Sequence, residues 1–98
     1  VYIAFLHLPW TEMRGVMRRA ADAVRRGGTF LLVGHDLTNL TDGVGGPPDA
    51  SVLYRPDDIT PLLTGFRVTR ARQLRSPVDH GPEEGEQIDC VVEAVKTP

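Results

Sequence analysis

Two places in this chain put titratable side chains where an apolar run ends. His7 stands near the end of Val-Tyr-Ile-Ala-Phe-Leu-His-Leu (1–8), and His35-Asp36 follows Thr-Phe-Leu-Leu-Val-Gly (29–34). In open α/β sheets the carboxyl ends of parallel strands face the ligand crevice, so these residues are expected at one rim. Imidazole titrates near neutrality, which lets His7 accept a proton from a nucleophile; its bland role is to cap a strand end. Asp36 brings a carboxylate to the same rim, with His35 beside it as a substrate contact, or it simply accepts from loop amides. Gly34-His35-Asp36 after a buried strand also has the outline of a nucleophile elbow, in which an aspartate attacks an ester or epoxide. Against that stand Thr38, where the elbow needs glycine, and the lack of a helical stripe from Leu37 onward. Trp10 either covers the crevice or staples a helix start. Asn39, Tyr54 and Arg55 either line a substrate pocket under a long loop or serve as loop caps.

Other motifs carry less. Gly43-Val44-Gly45-Gly46 runs into Pro47-Pro48, so it lacks the strand before and the helix after that a phosphate-binding loop needs. The histidines show no His-x-His or His-x-x-x-His spacing, and no metal site is expected. Cys90 is the single cysteine, which excludes an internal disulfide or a Cys-x-x-Cys site, and it reads as a small core residue. Eleven Lys and Arg against thirteen Asp and Glu leave a charge of −2, which is not the footprint of a nucleic-acid binder. No apolar run approaches the ~20 residues a membrane span requires. No basic segment precedes the first apolar run, so no secretory signal is expected and the expected compartment is cytoplasmic.

The elements that position these residues follow from patterning. With 98 residues, 41% hydrophobic and 24% charged, the chain reads as one domain. Residues 1–8 are apolar on both faces, as in a strand buried within a parallel sheet. Met13, Val16, Met17, Ala20, Ala21 and Val24 are spaced 3, 1, 3, 1, 3 and predict a helix over 11–26, with Thr11 as N-cap, Glu12 in the first turn, Arg25 and Arg26 at the negative end and Gly27-Gly28 as the stop. Residues 29–34 predict a second buried strand, completing a β-α-β unit. Residues 35–53 predict a long loop, 56–63 a short helix with Pro56 at its first position, 66–74 an edge strand with Phe66, Val68 and Leu74 on one side, 76–86 an acidic loop, and 87–95 a last strand with Ile88, Cys90, Val92 and Ala94 on one face. The connection between the last two strands is too short for a helix, so they are expected to pair antiparallel. The order is β-α-β-loop-α-β-β.

That order, with these words in it, resembles the C-terminal half of a class I S-adenosylmethionine-dependent methyltransferase. Residues 1–9 resemble the family's fourth strand, and Met13 to Asp36 its next helix, turn and fifth strand, with Val24-Arg25-Arg26-Gly27-Gly28 where the family has Leu-x-Pro-Gly-Gly. Leu53-Tyr54-Arg55-Pro56-Asp57-Asp58-Ile59 resembles the family's Tyr-x-Pro-Glu-Glu helix start, and the final two strands its closing hairpin. The resemblance implies half of a Rossmann-like sheet whose last strand is antiparallel, three-layered in the whole protein, and S-adenosylmethionine as cofactor of that whole protein. The family's glycine-rich cofactor turn and the acid ending its second strand have no counterpart here; they are expected before Val1, so this chain alone is not expected to bind the cofactor. Within this resemblance His7 and Asp36 are the catalytic candidates, and His35, Trp10, Asn39, Tyr54 and Arg55 the substrate contacts. A different class of reading is a non-catalytic α/β module that self-associates through residues 1–8, whose outer edge lacks a neighbour and is a template for strand addition.

Overall fold

The 3-1-3-1-3 spacing forms α1 (Trp10–Ala23) in the computed structural model, which describes residues 1–80 and 83–98. Met13, Met17 and Ala21 are its buried stripe. Its start differs from the expected Thr11 cap: Pro9 is the N-cap, and its carbonyl accepts from the amides of Glu12 at 2.9 Å and Met13 at 3.0 Å. Proline leaves no amide to satisfy there, so the helix can begin one residue earlier. Its end also differs. The helix stops at Ala23, leaving Arg25 and Arg26 beyond it, and Lys96 takes the role expected of them. Lys96 Nζ donates to the carbonyls of Ala21 at 3.1 Å and Val24 at 2.8 Å, placing a cation at the negative end of the dipole.

The sheet has four strands in the order β1-β2-β4-β3. β1 (Tyr2–Ala4) runs parallel to β2 (Thr29–His35), while β4 (Glu83–Lys96) lies between β2 and β3 (Phe66–His80) and is antiparallel to both. The first strand is much shorter than residues 1–8. Phe5 has φ +53°, a left-handed conformation rare for a bulky side chain, and this turns the chain off the sheet after one more ladder bond, Phe5 N–H to Val33 O at 2.7 Å. Leu6 and Leu8 then pack against the core from outside the strand. The apolar run is explained by packing in two different conformations.

The hairpin is longer than expected. Residues predicted as loop from Ser76 continue the ladder, from Ser76 opposite Gln87 to His80 opposite Glu83; positions 81 and 82 of that predicted loop lie outside the described residues. Pro77 is tolerated because β3 is the edge strand and needs no second set of donors. A bulge at Thr69 resets the alternation, so Val68 and Leu74 point to opposite faces, contrary to the simple period-two pattern. Thr69 Oγ1 fills the bulge by donating to Glu93 O at 3.1 Å and Glu93 Oε1 at 2.8 Å.

The core lies on one face. Phe30 and Leu32 from β2 and Cys90, Val92 and Ala94 from β4 meet Met13 and Met17 of α1, with Tyr54, Ile59 and Leu63 closing one side. Residues 35–53 are less irregular than expected: they contain α2 (Asn39–Asp42) and a single 3-10 turn, Ala50–Val52. The expected helix after Pro56 is α3 (Pro56–Ile59) followed by a 3-10 turn, Thr60–Leu62. Among the described residues no helix is long and apolar enough to cross a membrane.

Candidate functional site

The carboxyl ends of β1 and β2 do converge. Four rings stack there in sequence: Tyr54 on His7, His7 on His35, and Phe5 against His35, each pair with centroids 5.2 Å apart. The stack has space because residue 34 is glycine. A Cβ at Gly34 would collide with the Tyr54 hydroxyl and lie 2.8 Å from Tyr54 Cζ. That hydroxyl donates to Leu6 O at 3.2 Å.

His7 is held at both nitrogens. Nδ1 is 2.9 Å from Val52 O and Nε2 accepts from the His35 amide at 3.1 Å. A carbonyl can only accept, which assigns the proton to Nδ1. The Nε2 lone pair is therefore committed to backbone.

His35 is freer. Its Nδ1 is buried with no hydrogen-bond partner and stands 3.6 Å from Asp89 Oδ1. Nε2 has no hydrogen-bond partner among the described residues. Burial lowers the pKa of His35 below the ordinary 6.5, the His7 ring lowers it further, and Asp89 pulls the other way. The neutral ring is thus favoured. The loop packs on it closely, since a Cβ at Gly46 would lie 3.1 Å from His35 Nδ1.

Asp36 is fully buried. Oδ1 accepts from the Thr38 amide at 2.8 Å and from Gln73 Nε2 at 2.9 Å, while Oδ2 has no partner. An aspartate nucleophile must meet its substrate, and Asp36 presents no surface to one. Asn39 is a staple: Oδ1 accepts from the Ile88 amide at 2.8 Å, and Nδ2 donates to Gly45 O at 2.9 Å, tying α2, the glycine loop and β4 together. Burial raises the Tyr54 phenol, with Cys90 and Asp89 adding to it. Burial likewise raises the Cys90 thiol, with Asp36, Asp58 and Asp89 adding, so Cys90 is an inert core thiol.

The structure therefore brings the rings of His7, His35 and Tyr54 together, puts the Asp36 carboxylate on the opposite face of the strand from His35 with Thr38 and Gln73, uses Asn39 to tie the loop to β4, and leaves two expected contacts aside. Trp10 packs against the core at the first turn of α1. Arg55 is exposed, with its guanidinium 3.9 Å from Asp58. The sequence does not offer Asp89 or Gln73 as site residues, and it offers Thr38 only as a departure from the elbow pattern. Asp89 interrupts the apolar run of the last strand, which is a visible signal; Gln73 reaches Asp36 only through strand register.

Among the described residues no group of three His, Cys, Asp or Glu side chains is arranged to hold a metal. The glycine segment does not form a cofactor cradle either. A Cβ at Gly43 would collide with Asn39 Oδ1, no helix follows Gly46, and the backbone there is taken up by Asn39 and His35. No protein-family model matches this chain, and no curated protein matches it.

Proposed function

We propose that these 98 residues are the C-terminal segment of an S-adenosylmethionine-dependent methyltransferase acting on a small molecule, and that they supply the substrate-side rim of its site. The observation that carries this is the convergence of His7 and His35 at the carboxyl ends of the parallel pair β1–β2, in a sheet closed by an antiparallel last strand. The residues present do not fit the cofactor itself, and this reading gives its cradle to the rest of the parent protein. Within the rim the geometry favours a division of labour. His7 and Asn39 position the strand ends and the loop. His35, whose pKa burial lowers and whose Nε2 has no partner among the described residues, is the group this reading assigns to take a proton from a methyl acceptor. Methyl transfer depends mainly on alignment, so removal of His35 slows it without abolishing it.

Calorimetric titration with S-adenosylmethionine tests this reading. The expected result is no binding by these 98 residues and binding by the same chain extended upstream. Tight binding by the 98 residues alone, or none by the extended chain, overturns it.

A specific observation favours a second reading, association through β1. That strand is paired on one side only, and Val1, Tyr2 and Phe5 are exposed along it. Sedimentation at high concentration is expected to show a dimer that Ala4→Pro abolishes, because the Ala4 amide faces the open edge while Phe5 and Val1 bond to β2, and a monodisperse monomer rules it out.

A further inference from the structure

We infer that the cleft between the last two turns of α1, the turn Thr60–Leu62 and the neighbouring ends of β3 and β4 binds a small zwitterion, an aliphatic α-amino acid. The cleft has a volume of about 240 Å³, and Ala21, Leu62 and Phe66 form its apolar side. At the roughly 30 Å³ that one water takes up in the liquid, it holds about eight water-sized groups, the size of such an amino acid. Leu62 and Phe66 pack against the core yet are only partly buried, so they leave apolar surface for a ligand's side chain to cover.

The polar side fixes the charge of the ligand. Arg18, Asp22 and Lys96 line it together with Thr64. Arg18 and Asp22 are four residues apart, so they are neighbours on a single face of α1. They do not pair with each other: among the described residues the charged contacts are His35 with Asp89, Arg55 with Asp58 and Arg75 with Glu86. Lys96 enters from β4, and its ammonium carries three N–H donors. Two go to the carbonyls of Ala21 and Val24, and the third has no partner among the described residues. A simple anion would meet Arg18 and Lys96 but face Asp22. A simple cation would meet Asp22 but face the other two. A zwitterion matches all three, with its carboxylate on Arg18 and the spare Lys96 donor and its ammonium on Asp22. Asp22 also stands nearer than Arg18 to the C-terminal end of α1, where the helix dipole favours a cation.

The parent protein of the proposed function would not cover this cleft. Its sheet grows from the open edge of β1, on the far side from β3, and its third layer lies on the face turned away from α1. The inference does not depend on that activity, because the cleft is at the opposite end of the strands from His7 and His35.

Amide NMR titrations of the protein with three compounds test it: L-leucine, isocaproate, which lacks the ammonium, and isoamylamine, which lacks the carboxylate. L-Leucine is expected to give saturable shifts at Ala21, Asp22, Leu62 and Phe66, and to bind about tenfold or more tightly than either analogue. Asp22→Asn is expected to erase its advantage over isocaproate, and Arg18→Gln to reduce its advantage over isoamylamine. Both residues are exposed on α1, so both variants are expected to keep the fold, which their denaturation midpoints check. Shifts that do not saturate, shifts centred on His7 and His35 instead, equal binding of the three compounds, or an unchanged preference in Asp22→Asn overturns the proposal.

Discussion

The two ends of the sheet treat their polar groups differently. Where β2 begins and β4 finishes, the Gly27 amide donates to Lys96 O at 2.8 Å, the Lys96 amide to Gly28 O at 2.9 Å, Thr97 Oγ1 to Gly65 O at 2.7 Å, and Lys96 Nζ to the last carbonyls of α1. These are closures, and each polar group there has an evident partner. At the opposite end, His35 Nδ1 and Asp36 Oδ2 are buried and unpartnered within a tightly bonded surround. Buried polar groups are nearly always satisfied, so these two orphans, which neighbouring strand positions put on opposite faces of the sheet, are not there for stability. The difference teaches where to look: one end holds the fold together, and the other keeps polar atoms in reserve.

The largest expected effect tests how tightly the second end is built. Gly34→Ala drives a methyl group into the ring and hydroxyl of Tyr54, which is itself packed under His7. Neither the sheet backbone nor the stacked rings can yield cheaply, so chemical denaturation is expected to show a loss of about 3 kcal/mol or more. A loss under about 1 kcal/mol would mean that the ring stack slides aside, and with it the case for a preorganised rim. Next comes the closed end. Lys96→Met keeps the stem against Phe66 but removes two charge-assisted bonds to the end of α1. The expected cost is about 2 kcal/mol, with faster amide exchange confined to the last turn of α1.

The same contrast marks what the sequence makes legible. The closed end is written locally: the helix stripe, the glycines after it and the alternation that ends in Val92 and Ala94 all follow from neighbours in the chain. The convergence of His7 and His35 is also legible, because a β-α-β unit brings two strand ends together whatever the side chains are. The partners of these residues are not. Asp89 and Gln73 reach the site through register across the sheet, and a bulge at Thr69 sets which face Gln73 takes. The commitment of the His7 lone pair to the His35 amide is equally invisible, since it depends on the turn that Phe5 makes. The segments 76–80 and 83–86 look like loop because strand formation there comes from pairing with a partner strand rather than from local propensity.

Asp36→Asn sharpens the contrast from the other side. The amide oxygen can still accept from Thr38 and Gln73, and the atom replaced at the second position has no partner to lose. Stability is expected to stay within about 1 kcal/mol of the parent chain by urea denaturation. A loss above about 3 kcal/mol would show that the carboxylate charge is itself a structural element, and would move Asp36 from the reserve to the scaffold.

The smallest effect concerns His35 and is a matter of sign. Burial and the neighbouring His7 ring lower its folded-state pKa below 6.5, with Asp89 opposing, so between the folded and unfolded values the unfolded chain binds more protons. Stability from this group is therefore fully present above pH 6.5 and is lost as pH falls through the folded pKa. The quantity to measure is the difference between the parent chain and His35→Gln, which keeps a polar side chain and removes the titration of this group. The parent is expected to lose more stability than the variant between pH 7.5 and pH 5. If the two curves run parallel, the His35 ring is not held neutral by its surroundings and loses its place as the proton acceptor of the rim. If the parent instead gains on the variant as pH falls, the Asp89 carboxylate dominates, and His35 belongs with the closures of the other end.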